Sequence, residues 1–389
     1  MLKTVFYAAI LFGLSYPGFS AVREKEEPYQ NNFNIPIRVL LDRDARVVRL
    51  RSALKGIYFK SASNDWQETS NSLEVRWKSA NGNPVLVSSA LKKPVSTVFL
   101  RGGPYPADKL QYKTVFFRGA IRLTATSKGM LVTNLLTLDD YLRGMLAHEM
   151  SPSWEIEALK AQAVASRTYA LYMMAHPKSA FYDLESTTQD QVYGGANGED
   201  ERVRLAVLST HNQVLTLNHS PIKSYFHSRC GGTTETAQTV WNENRGEHKT
   251  RVACPYCRKF PATWKASIPW SELFASLKLP SPRVAYAASS LLPAQKTPSG
   301  RTTKFLLSNG TSAFKISGDR LRSAIGYEKL KSTVLKWKAG KDEIQFEGVG
   351  NGHGVGMCQW GARYLARQGK TYREILSYYY PGTSLQASP

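Results

Sequence analysis

Between Leu138 and Ala175 the apolar positions take helical spacing, interrupted once at Ser151-Pro152-Ser153. The pattern predicts two helices. The first, LDDYLRGMLAHE, opens on carboxylates, which suit the positive end of a helix dipole. The second is predicted to start near Pro152 or Ser153, where a serine cap and an early proline are both favourable. At about 100° per residue, Ile156, Leu159, Ala163, Val164, Ala170 and Leu171 share one stripe, and Lys160 and Arg167 fall inside it. Ala158, Ala161 and Ala165 lie opposite and are small enough for close packing. The second helix is therefore expected to be covered on both sides, with two cations on its apolar face. Either these snorkel or pair with structural carboxylates, or they line a cleft beside Glu149, which stands at the joint of the two helices.

Upstream the period changes. IPIRVLL, VVRLR, GIYFK, LEVRW, PVLVSS and STVFLRG are short alternating or β-branched runs separated by turn residues. They predict a basic β-rich region over 34–114. FRGAIRLTAT and GMLVTNLLT add two strands leading into the helices. Near the other end, EIQFEGVG, the glycine-rich NGHGVGM and a helical run from about Cys358 to Arg367 predict strand, tight loop and helix. The loop lacks the lysine-serine/threonine ending of a phosphate loop. The fold class is α+β. The segment 266–338 alternates strand and helix signals and is assigned to the same domain as the helices.

Composition excludes a disordered chain: 42% of the 389 residues are hydrophobic and 11% aromatic. The net charge of +21 attracts anionic polymers in general. No aromatic-basic nucleic-acid motif accompanies it, so nucleic acid is not the expected partner. MLKTVFYAAILFGLSYPGFSA has a lysine, a short apolar run and small residues, the pattern of a secretory signal peptide over residues 1–20. Residues 21–33 read as a polar linker. The mature protein is expected to be exported, to the periplasm or the cell-wall exterior, and not to span a membrane.

The four cysteines are Cys230, Cys254, Cys257 and Cys358. Cys254-Pro-Tyr-Cys257 has the spacing of a metal pair or a redox pair. With Cys230 and His227 it makes a Cys₃His set of the kind zinc takes. In an exported chain a disulfide from Cys230 to Cys254 or Cys257 is the equal alternative, and free thiols are the third. Cys358 reads as a lone buried thiol.

LVTNLLTLDDYLRGMLAHEMSPSWEIEALKAQAVASRTYAL resembles the core motif of the stage II sporulation protein D family and its amidase-enhancer relatives. So does GVGNGHGVGMCQWGARYLARQGKTYREILSYYYPGTSL. TTQDQVYGG, PIKSYFHSRCGGTTETA and RVACPYC match intervening blocks, so the similarity runs from about Phe117 to Leu385. It implies a catalytic domain over 115–386. It also implies a lytic transglycosylase that cleaves peptidoglycan glycan strands, preferably stripped of peptides, or a factor that stimulates a cell-wall amidase. The family's catalytic glutamate falls on Glu149; the proline that follows it is displaced by one position here. Its polar helix positions fall on Lys160, Gln162 and Arg167, and its glycine-rich motif suggests cleft positions for His353 and Gln359. Tyr193 and His227 complete the expected substrate-binding set, with Tyr193 or Trp154 as an apolar wall. Zinc held by cysteines after the catalytic helix, as in some members, is not expected, because that loop here has none.

Breaking a glycosidic bond needs an acid at the leaving oxygen and capture of an oxocarbenium-like centre. Hydrolases usually supply two carboxylates. A lytic transglycosylase can use one, because the muramyl C6 hydroxyl attacks its own C1 and leaves a 1,6-anhydro end. Glu149 then needs an apolar, partly dry setting that raises its pKa. This chemistry requires no cofactor; a structural zinc is the one group the cysteines suggest.

Overall fold

Thr137 ends a strand and starts a helix: its hydroxyl accepts from the Asp140 N–H. From that cap α1 runs over Leu138–Glu149, with Asp139 and Asp140 in its first turn. Trp154 N–H then bonds to Ser151 O at 3.0 Å, turning the chain. Helix α2 covers Ile156–Ala175. It starts at Glu155, without a side-chain cap, and not at the serine-proline break. The reason is Trp154, which is buried edge-on against Trp360 (centroids 5.0 Å apart) and holds the preceding segment out of the helix. The remaining helices are α3 (Glu201–Ser209), α4 (Ala237–Trp241), α5 (Pro255–Lys259), α6 (Trp270–Leu277), α7 (Gly318–Ile325), α8 (Gln359–Arg367) and α9 (Tyr372–Tyr379).

This computed structural model describes residues 36–54, 56–61, 65–104, 108–244, 246–282 and 286–387. The expected signal peptide and linker lie outside the described residues. The described residues form one compact unit. Both helices and strands are abundant, in separate sheets, so the fold is α+β.

The largest sheet has seven strands, with Pro36–Ala45 beside Gly129–Thr137 and Ala120–Thr126 near its middle. Pro36–Ala45 pairs antiparallel with Gly129–Thr137, from Pro36 opposite Thr137 to Ala45 opposite Met130. In a five-stranded sheet, Val47–Ser52 pairs with Leu110–Tyr112, which pairs in turn with Val115–Phe117. The sheets therefore run through the 114/115 boundary expected from sequence. Ile37, Leu50, Val75, Leu100 and Val132 share one core with α1, α2 and α9. Alternation inside each strand sends these side chains inward.

Helix α2 is the centre of that core. Nearly every residue from Ala158 to Ala170 is buried, and the alanines let α1, α3, α8 and α9 come close. A second core, with Trp270, Phe274, Phe305 and Phe346, forms within residues 264–346. Among the described residues no helix is long and apolar enough to cross a membrane.

Candidate active site

Glu149 is the last residue of α1. Its carboxylate accepts from the Val192 N–H at 3.1 Å through Oε1, and from Gln359 Nε2 at 3.4 Å through Oε2. The same Gln359 nitrogen reaches Gln162 Oε1 at 3.5 Å, and Gln162 Nε2 donates to Ser166 Oγ at 3.0 Å. A relay of amides thus joins α8 to α2 behind the carboxylate. Burial pushes the Glu149 carboxyl above its ordinary value, against the opposing effect of the bonds from Val192 and Gln359. The C-terminal end of α1 is also the negative end of its dipole, which disfavours the ionised form.

Glu149 opens into a groove of about 410 Å³. The loop with Gln189, Asp190 and Val192 forms one side, and Tyr225, His227 and Trp241 another. Asp319, Arg322 and Tyr327, from the segment with its own core, close a third. Tyr225 and Trp241 lie with ring centroids 4.7 Å apart and give the groove an aromatic face. Asp190 is already committed: Oδ1 accepts from Tyr169 and Lys178, and Oδ2 from the Glu185 N–H.

His353 and His227 both line the groove. Val355 N–H donates to His353 Nδ1 at 3.1 Å, so Nε2 carries the proton and donates to Phe226 O at 2.9 Å. The ring is neutral and fully engaged; burial pushes its pKa well down. His227 Nδ1 lies 3.1 Å from Val355 O, while its Nε2 is buried without a partner. Burial, then the Arg301 charge, pushes the His227 pKa down to about 3. The neutral ring presents an unused acceptor.

The glycine-rich loop holds these rings in place. Gly356 has φ +71°, and a Cβ there would meet Tyr225 O at 1.9 Å. Only a glycine allows that crossing.

Three expected positions lie elsewhere. Lys160 pairs with Glu157 at 2.7 Å, one turn back on α2, away from the groove. Arg167 is buried and donates to the carbonyls of Val207 and Thr210 at the end of α3, and to Gln213 O. Its other partner is Asp139 at 3.4 Å. It ties α1, α2 and α3 together. Tyr193 donates its hydroxyl to Asn134 Oδ1 at 2.8 Å and packs on Phe117 and Tyr141, inside the core. Trp154, the alternative wall, is taken by Trp360. Helical phase gave the side of α2 on which each cation lies, not its partner. Lys160→Met should leave activity intact and change stability by about 0.5 kcal/mol or less; comparative unfolding and turnover of the variant check this.

The metal-type cluster also differs from the expected set. Sγ atoms of Cys230, Cys254, Cys257 and Cys358 all lie within 4.8 Å of one another. His227 is outside the group, its Nδ1 turned to Val355 O, and Cys358 takes the fourth place. All four cysteines are free and buried, so neither disulfide alternative is formed.

Sequence reasoning missed Tyr225, Trp241, Arg322 and the Val192 N–H. The blocks PIKSYFHSRCGGTTETA and TTQDQVYGG, noted for their resemblance, carry two of them.

A half-buried carboxyl of raised proton affinity at the base of an aromatic and polar groove defines the candidate active site. The comparisons give that site a family. A family profile described as Stage II sporulation protein matches residues 126–217, which include Glu149, Gln162 and Val192. Stage II sporulation protein D of Bacillus subtilis is 32% identical over 267 residues, covering 64% of this chain and 74% of that protein. An uncharacterized protein of Brachyspira hyodysenteriae is 35% identical over 287 residues, 72% of this chain and 74% of the relative. The amidase enhancer of Bacillus subtilis is 29% identical over 297 residues, 63% of this chain but 40% of its own length. The chain belongs to the stage II sporulation protein D family.

Proposed function

We propose that this protein is a cell-wall enzyme, a lytic transglycosylase acting on peptidoglycan glycan strands, with Glu149 as its acid and base. The observation that carries the reading is the half-buried Glu149 carboxyl, its proton affinity raised by desolvation, facing a groove with an aromatic side. In the first step protonated Glu149 gives its proton to the glycosidic oxygen as the bond to C1 breaks. The same carboxylate then takes the proton of the muramyl C6 hydroxyl as that oxygen bonds to C1. The sugar closes on itself, and the glutamate is protonated again. Tyr225 and Trp241 suit stacking of sugar faces. Asp190, with both oxygens engaged, is poorly placed to serve as a second catalytic carboxylate. The net charge of +21 favours residence on an anionic wall.

The relative named as an amidase enhancer supports a second reading, a factor that stimulates a wall amidase without cutting glycan. Digestion of purified, peptide-stripped strands separates the two. The enzyme shortens the strands, and Glu149→Gln does not. Intact strands together with faster amidase action are the enhancer's result.

Gln359→Met provides a finer test. The bond Gln359 donates lowers the Glu149 pKa, so losing it should raise that pKa further. A general acid works while protonated, so the fall of activity at high pH should move to higher pH. The rate loss should be smaller than ~10²-fold, below that of losing the acid itself. A pH–rate profile of both proteins measures the shift.

A further inference from the structure

We propose that Cys230, Cys254, Cys257 and Cys358 hold one zinc ion in a closed, structural tetrathiolate site that anchors the start of α8. The four sulfurs come from separate parts of the chain: the turn after Phe226–His227, the two ends of Cys254-Pro-Tyr-Cys257, and the residue that caps α8. Zinc–sulfur bonds of about 2.3 Å in a tetrahedron place the sulfurs roughly 3.8 Å apart. Cys257 Sγ and Cys358 Sγ are 3.6 Å apart, and all four fall within 4.8 Å. A set of this size needs only small adjustments to close on an ion.

The surroundings are those of a buried anion. Arg301 is fully buried beside Cys230. It donates to Cys230 O at 2.7 Å and to Gly352 O at 3.3 Å, and no carboxylate among the described residues pairs with it. A buried guanidinium with no direct ion pair, only the longer-range field of Glu235, is costly. Four thiolates around a divalent ion carry two net negative charges and would supply that counter-charge. The Gly232 N–H points at Cys230 Sγ (3.4 Å), and Tyr379 OH lies 3.4 Å from Cys254 Sγ, both suited to donating to a thiolate. Four sulfur ligands leave no position for water, so the site holds structure and does no chemistry. Tetrahedral sulfur ligation is also open to iron; zinc, which needs no redox partner, fits a purely structural site.

Cys358 leads directly into Gln359, whose amide meets Glu149. The ion would thereby fix the register of α8 against the carboxylate. The metal assignment does not depend on the glycan-cleaving reading, because its test measures metal and not turnover.

The test is metal analysis of the purified full chain, with thiols counted after denaturation and chelation. The expected result is about one zinc per chain, four titratable thiols, and a visible absorption of tetrahedral cobalt–thiolate type after cobalt exchange. Cys358→Ala should lose the metal, whereas Cys358→His, which keeps a zinc ligand, should retain it. That second variant keeps the test sound if the alanine chain fails to fold. Metal-free protein, whether its cysteines are free or joined as disulfides, overturns the proposal. Bound iron with its charge-transfer colour overturns the choice of zinc.

Discussion

Glu149→Gln should reduce glycan-strand cleavage by roughly 10²–10⁴-fold, the usual worth of a positioned acid–base group, while making the protein more stable at neutral pH. The two effects share one cause. Burial of the carboxyl disfavours its charged form, which raises its pKa above the ordinary 4.5. A folded-state pKa above the unfolded one means stability is fully present below the unfolded value, near 4.5, and is lost as pH rises through the folded value. Glutamine keeps the shape and has no charge to bury. The stability difference between variant and wild type should therefore be small at pH 4, grow as pH rises through the folded pKa, and stay constant above it. Thermal unfolding across that range reads it directly. A variant that loses activity and also loses stability at pH 7 would mean the carboxylate is a structural anion.

Arg167→Leu should cost about 3–5 kcal/mol of stability, the range for breaking a buried ion pair, and should leave the groove's chemistry untouched in the protein that remains folded. Arg167 caps the last turn of α3 through Val207 O and Thr210 O and meets Asp139 of α1. Leucine removes both functions and leaves those carbonyls buried without donors. Asp139 keeps one partner, His211 Nδ1 at 2.8 Å, which places the loss toward the low end of the range. Denaturant unfolding measures the cost. A large rise in KM with little change in stability would return Arg167 to the substrate-binding role expected from its place on the helix.

Local features were readable from residue order. The acidic first turn and apolar spacing located α1 and put Glu149 at its end, while its threonine cap emerged only in the structure. The strands between Pro36 and Thr137 follow from alternation. Long-range partners were not readable. Gln162 projects from a side of α2 that its apolar stripe does not explain, because its reason is Gln359, 197 residues away. Cys358 read as solitary because Cys257 lies 101 positions earlier and no spacing rule joins them. Tyr193 read as one of two candidate apolar walls, yet its hydroxyl is held by Asn134 on a strand. Pattern gives the face a residue occupies. Which element covers that face is decided by topology.

The most direct measurement is cleavage of peptide-stripped glycan strands in water enriched in heavy oxygen, followed by mass analysis of the new ends. If the C6 hydroxyl captures C1 while Glu149 shuttles the proton, the new muramyl ends are anhydro sugars, lighter than reducing ends by one water and free of the heavy isotope. Reducing ends carrying heavy oxygen would show that water is the nucleophile and would contradict the account.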